Sequence, residues 1–277
     1  MSDSLTLKVK NLSVIVDQEP VVHDVSFTIR RGQKLALVGP TGAGKSDLIA
    51  GILNDFDSNI VEYRGQVIHP QVGNFLELDF AERKQATARF LAIILQEGIH
   101  SLNPGITIHQ QLLELVHHLR SVTEEVARSV IQEILEFVAY PYLPAKLDAY
   151  PEDLNNEEIQ KVLMALTLIQ RPHVIIADES VRALDTVTQK VFVDLLEKIH
   201  QELGISLLFV TNNIGLAAQI CEDVLILDHG QIVERGKMTE ILTHPQQSAT
   251  QQLVSDHDRM NALMEEAQTK DPSLMRQ

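Results

Sequence analysis

The octapeptide Gly39-Pro-Thr-Gly-Ala-Gly-Lys-Ser46 constrains this 277-residue chain more than any other stretch. Its three glycines let the backbone enter conformations closed to residues with a Cβ, so successive amide N–H groups can converge on one point. The apolar run Lys34–Val38 precedes it and is short, as a buried strand is. Leu48, Ile49, Ile52 and Leu53 follow at helical spacing. Strand, glycine-rich turn and helix start, in that order, form the pattern of a phosphate-binding loop. Gly39, Pro40, Thr41, Gly42, Ala43 and Gly44 would make the cradle, and the helix beginning near Gly44 adds its positive end. Lys45 would bring a full charge to the β- and γ-phosphates of a nucleotide, Ser46 a hydroxyl to Mg2+, and Asp47 closes the stretch. A glycine-rich turn that binds nothing is the bland alternative, and the strand–helix context argues against it.

Val174-Ile-Ile-Ala-Asp-Glu179 reads as the matching second half. An apolar strand ends there in two carboxylates, at the edge of a parallel sheet where phosphates are met. Asp178 would hold the Mg2+ shell and Glu179 would polarise the attacking water. Alone, an apolar run ending in Asp-Glu is an ordinary surface turn. The glycine loop upstream changes its meaning.

Along the chain, Leu5–Val16 and Val21–Ile29 are β-branched and apolar, with a turn at Arg31-Gly32-Gln33. Gln110–Leu119 and Val126–Phe137 have helical patterns, closed by Pro141, Pro144 and Pro151. The near-continuous apolar stretch Ile159–Ile169 predicts a helix buried on most faces. Val187–Leu203 is helical, Ile205–Val210 a strand, and His229-Gly230 a turn between two more strands. The expected fold is α/β, a phosphate-loop core with an antiparallel β lobe on the N-terminal side. The expected domain covers residues 1–255, with a helical subdomain at about 98–165, and residues 256–277 form a polar tail, either loosely held or a partner-binding helix.

With 23 Lys+Arg against 38 Asp+Glu the formal charge is −15, which argues against a binder of nucleic acid. No apolar run approaches the roughly 18–20 residues that cross a bilayer, and Met1-Ser-Asp-Ser-Leu5 is unlike a secretory signal. The single Cys221 offers neither a disulfide nor a thiolate cluster, and the histidines, His117-His118 included, form no ligand set. A cytosolic chain that meets a membrane only through a partner is the expectation.

Together these residues resemble the ATP-binding subunit of an ABC transporter, more narrowly of the oligopeptide, dipeptide and antimicrobial-peptide (Sap-type) importers, over roughly residues 5–255. Gln96-Glu-Gly-Ile-His-Ser-Leu-Asn-Pro104 is similar to the family's Q-loop, and Ala183-Leu-Asp185 to its D-loop. Ile232-Val-Glu-Arg-Gly236 with His244-Pro245, Thr250 and Leu253 resembles its closing segment. The resemblance implies ATP and Mg2+ as cofactors, with Gln96 touching the metal. It implies a second ATP-binding subunit, here a different chain, two transmembrane permease subunits, and a periplasmic or surface solute-binding protein. The place would be the cytoplasmic face of the bacterial inner membrane.

Three motifs depart from the family pattern. The signature, normally Leu-Ser-Gly-Gly-Gln, stands as Leu154-Asn-Asn-Glu-Glu158. Side chains then occupy a place of close approach to the partner's γ-phosphate, and Glu157 and Glu158 add negative charge. A carboxylate about 5 Å from another unit charge costs on the order of 3 kcal/mol at an effective dielectric near 20. As helix residues the same side chains fit well: Asn155 or Asn156 as a cap, the glutamates in a first turn. Thr211-Asn212-Asn213 replaces the family's Thr-His-Asp, and losing one transition-state donor costs around 10²–10³ in rate. Val16 falls where an aromatic would stack on adenine. Slow or asymmetric ATP hydrolysis within a heterodimer is one expectation, and a nucleotide-binding subunit that does not hydrolyse is the other. A soluble ABC-type ATPase is a third, disfavoured because the chain has neither a second ATPase domain nor a coiled-coil insertion.

Overall fold

The computed structural model describes residues 4–53, 61–95, 101–141, 144–178 and 186–270. In chain order the strands are β1 (Leu5–Val16), β2 (Glu19–Arg30), β3 (Lys34–Val38), β4 (Val61–His69), β5 (Gly73–Asn74), β6 (Leu91–Leu95), β7 (Val174–Asp178), β8 (Ser206–Thr211), β9 (Asp223–Asp228) and β10 (Gln231–Lys237). The helices are α1 (Lys45–Leu53), α2 (Phe80–Phe90), α3 (Ile108–Leu119), α4 (Glu124–Phe137), α5 (Pro144–Leu147), α6 (Asn156–Ile169), α7 (Thr186–Leu203), α8 (Ile214–Ile220), α9 (Met238–Thr243) and α10 (Ser248–Lys270). The chain divides into two units.

One unit comprises Met1–Leu7, Thr28–Gln33 and Ile68–Leu208. In it β6 and β7 pair in parallel, Leu91 opposite Val174 and Leu95 opposite Asp178. Four consecutive buried residues in β7 show a strand covered on both faces. Between β6 and β7 the chain is helical. In α3 the buried residues are Ile108, Leu112 and Val116, and in α4 they are Ala127, Ile131 and Leu135. That i, i+4, i+8 spacing gives each helix one apolar face. Both of these faces turn to α6, which buries nine of its residues between Ile159 and Ile169. Thr107, bonded to the Gln110 N–H, closes the start of α3, and Thr123, bonded to the Val126 N–H, closes that of α4. The chain between β6 and β7 thus forms a helical subdomain.

The other unit comprises Lys8–Phe27, Lys34–Val67 and Phe209–Gln277. Asp17 and Gln18, both at positive φ, turn β1 into β2, and β1 lies between β2 and β4. β3 pairs in parallel with β9, Leu35 opposite Asp223 and Val38 opposite Ile226. β9 returns antiparallel into β10 through His229 (φ 44°) and Gly230 (φ 71°). The last helix, α10, runs from Ser248 to Lys270. It packs on α8 and β9. The aromatic ring of His257 lies where Gly215 of α8 has no side chain: a Cβ there would be 2.1 Å from the imidazole. Cys221 is buried at the end of α8, and no helix among the described residues is long and apolar enough to cross a membrane.

Candidate functional site

The octapeptide leaves β3 at Val38 and enters α1 at Lys45. Its glycines are there for steric reasons. A Cβ on Gly39 would lie 2.2 Å from the Leu227 carbonyl oxygen, so β9 could not run beside it. Gly42 and Gly44 have φ of 83° and 92°, the left-handed region that favours glycine. The loop is pinned from outside. The Gly39 N–H donates to the Thr211 carbonyl at 3.3 Å, and the Ala43 carbonyl accepts the Gly230 N–H at 2.9 Å. The His229-Gly230 turn is itself held by the His23 N–H on the Gly230 carbonyl, 2.9 Å. From sequence the turn is only a link between two strands, because nothing local ties it to residue 43.

Among the described residues no acceptor takes the N–H of Thr41, Gly42, Gly44 or Ser46, and Thr41, Gly42 and Ser46 are exposed. The Lys45 side chain is 5% exposed, and its Nζ donates to the Gly39 and Pro40 carbonyls at 2.9 Å each. A buried ammonium beside open amides at a helix start is an arrangement that fits phosphate oxygens. The residue before α1 is Gly44, which has no side chain to cap the first turn, and that turn carries Asp47. Val16 ends β1 and is half-buried.

Asp178 ends β7 and is half-buried in the other unit. Gln96, Glu179 and the Ala183–Asp185 stretch lie outside the described residues.

At the altered signature the structure shows a closed helix start. Asn155 is the N-cap of α6: its side chain accepts the Glu158 N–H at 2.9 Å, and the Glu158 carboxylate accepts the Asn155 N–H at 3.1 Å. This capping box occupies amides that open glycines would have left free. Glu158 also forms an ion pair with Lys146, whose hydrogen bond holds its carboxyl below the usual glutamate range. Glu157 pairs with Lys161 at 2.6 Å. The negative charge expected here is thus largely answered within the chain. The Glu157–Lys161 pair is legible from its i, i+4 spacing. The Lys146 contact is not, since it depends on how α5 meets α6. Burial and the neighbouring Glu158 push the Tyr140 hydroxyl up to about 12, and that hydroxyl donates to the Lys146 carbonyl at 3.0 Å.

A second closed start follows β8. The Asn213 side chain caps α8 by accepting the Leu216 N–H at 3.0 Å, and its own N–H donates to Thr211 Oγ1 at 3.1 Å. Asn212, half-buried between them, makes no hydrogen bond among the described residues. It stands where the family has its histidine.

Residues 22–182 match the family described as ABC transporter. Similar proteins include the glutathione import ATP-binding protein GsiA of Pectobacterium atrosepticum, 31% identical over 92% of this chain and 42% of that protein. The uncharacterized ABC transporter ATP-binding protein YejF of Escherichia coli K12 is 33% identical over 90% and 48%. The metal-staphylopine import system ATP-binding protein CntD of Staphylococcus aureus is 27% identical over 93% and 94%. The chain spans less than half the length of the first two relatives and nearly all of the third. Among solved structures, cbiO1 of Clostridium perfringens, part of the transporter complex cbiONQ, superposes with a TM-score of 0.76 at 20% identity, covering 95% of this chain and 99% of that one. Dimeric MJ0796 bound to ADP and Pi gives 0.70 at 23% identity, covering 84% and 99%, and at these identities both speak for the fold alone. With the family match covering more than half of its residues and the fold agreeing, this chain belongs to the ABC transporter family.

Proposed function

We propose that the chain is the ATP-binding subunit of an importer for peptides or similar solutes, which drives transport through ATP-dependent dimer closure and hydrolyses ATP slowly or asymmetrically. The observation that carries this reading is the open start of α1, with Lys45 buried over two carbonyls and four neighbouring amides that meet no acceptor among the described residues. Gly39–Ser46 would hold the phosphates, with Lys45 on the β- and γ-groups. Ser46, Gln96 and Asp178 would hold Mg2+, which when bound spreads the charge of the phosphate oxygens. Glu179 would take the role of base towards water. The names of GsiA and CntD, importers of glutathione and of metal-staphylopine, support a small peptide-like solute. The partners of this reading are a second, different ATP-binding subunit, two permease subunits and an external solute-binding protein. Its place is the cytoplasmic face of the inner membrane.

A second reading has an observation of its own. The capping box of α6 closes the helix start that would face a partner's nucleotide, and Asn212 cannot become cationic. A nucleotide-binding subunit that does not hydrolyse accounts for both. Calorimetry of the chain with Mg-ATP tests the shared part: saturable binding is expected, and its absence ends both readings. ATPase measurement on the assembled transporter, with Glu179→Gln here against the equivalent change in the partner, separates the two. Hydrolysis that survives Glu179→Gln in full is carried by the partner's site and supports the non-hydrolysing reading.

A further inference from the structure

A cleft of 380 Å³ in the unit that holds β7 is lined by Thr6, Arg31, His69, Gln71, His173 and Gly204 among others, and by no carboxylate. In a chain of net charge −15 an acid-free cleft is unusual ground. The Arg31 guanidinium has no ion-pair partner among the described residues. Neither does that of Arg89 on α2, which lies over the Phe90 ring at 5.2 Å from its centre.

The histidines fix which proton faces the cleft. His69, 1% exposed, is stacked on Phe90 with ring centres 4.3 Å apart. Its Nδ1 accepts the Gln71 N–H at 3.3 Å, so in the neutral ring Nε2 carries the hydrogen. That Nε2–H donates to His173 Nδ1 at 3.0 Å. His173 Nδ1 is then an acceptor, and its proton sits on Nε2. His173 is exposed, so this donor is available from outside. Burial, Arg31 and Arg89 all hold the His173 imidazole below its ordinary range, and no carboxylate pulls the other way. Burial and His173 lower His69 to about 4. The charged or titratable groups around His173 are Arg31 after β2, Arg89 from α2 and His69 from β4, and, in the neighbouring cleft that it also lines, Glu133 of α4 and Arg171.

We propose that this cleft binds a small oxyanion of the phosphate class, held by Arg31 and the outward Nε2–H of His173, with Gln71 at its rim. Its lining includes no residue of the loop at 39–46. His173 immediately precedes β7 and Asp178 ends it, so the two lie at opposite ends of a five-residue strand, about 16 Å apart at ~3.3 Å per residue. A bound dianion supplies the missing negative charge and favours the imidazolium. For that the pair must rearrange, because His173 Nδ1 gains a hydrogen where His69 now donates. Anion binding is thus linked to uptake of a proton by His173.

The test uses the full chain saturated with Mg-ATP, so that the loop at residues 39–46 is occupied. Inorganic phosphate is titrated against chloride at equal ionic strength while the histidine ring signals are followed by NMR. Phosphate is expected to raise the His173 midpoint by about one pH unit or more, within the range for an opposite charge at close distance. Arg31→Gln should weaken the phosphate response at least tenfold, and Arg89→Gln should weaken it less. Both side chains are exposed, and unchanged Mg-ATP binding confirms that the variants fold. A His173 midpoint that ignores phosphate overturns the proposal. So does a response equal in Arg31→Gln, which marks non-specific screening, or one abolished by Mg-ATP, which marks the nucleotide loop.

Discussion

Helix α1 starts on glycines and α6 on an asparagine, and the amides of their first turns face opposite fates. At α1 the loop is bent by Gly42 and Gly44, the residue before the helix is a glycine with no side chain to cap the turn, and a buried ammonium stands beside it. At α6, Asn155 and Glu158 satisfy each other's N–H groups, and Lys146 and Lys161 answer the two glutamates. The start of α8 is closed in the same manner by Asn213. A helix N-terminus has donors and a partial positive charge in every case, yet it serves a ligand only where the protein leaves those donors unspent. In this chain the start that would hold its own nucleotide is open, and the start that would face a partner's nucleotide is closed.

The largest test of that contrast is Lys45→Ala. Hydrogen bonds to charged groups are worth about 1.5–3 kcal/mol each, and two lost to phosphates should weaken ATP binding by roughly 10²–10⁴. Calorimetry showing undiminished affinity would mean that α1 is not the open start it resembles. Next comes Asn212→His in the assembled transporter, which restores the donor beside the Asn213 cap and should raise ATP turnover by up to about 10². A flat rate would place the limit elsewhere, with the closed α6 as the natural suspect.

Asn155→Ala should cost about 1 kcal/mol, lowering the Tm of the chain by roughly 2–4 °C. An unchanged Tm would show that the capping box holds nothing. The smallest effect concerns acid. The folded-state pKa of Glu158 is depressed, chiefly by the Lys146 hydrogen bond, from an ordinary value of 4.5. Its contribution to stability is therefore complete above that value and is lost as pH falls through the lower folded one. Glu158→Gln should flatten the acid limb of stability slightly, read as urea midpoints at neutral pH and below 4.5. An identical limb would remove the ion pair from the argument.

Much of this was open to a reader of residues alone. The strand–loop–helix at 34–53 follows from glycine spacing and apolar periodicity, and the buried α6 from its unbroken apolar run. Gly39 was legible as a glycine, but the reason for it was not, because the carbonyl that excludes a Cβ belongs to Leu227, far along the chain. The strand β4 and helix α2 escaped notice, their apolar residues being sparse and the fold supplying their partners. The polar tail reads as loosely held or as a partner-binding helix. No pattern announces the contact that its helix makes, His257 over the bare backbone of Gly215.

Sequence by itself determined the local chemistry: which turn can bend, which helix can begin, and which charges stand four residues apart. These depend on neighbours a few bonds away, and short-range sterics and spacing are written in order along the chain. The tertiary structure decided which of those donors are already used, which carboxylate meets Lys146, and that Arg31, His69 and His173 share one cleft. Such facts turn on distances between residues remote in sequence, and only packing brings them within reach of a hydrogen bond or a charge.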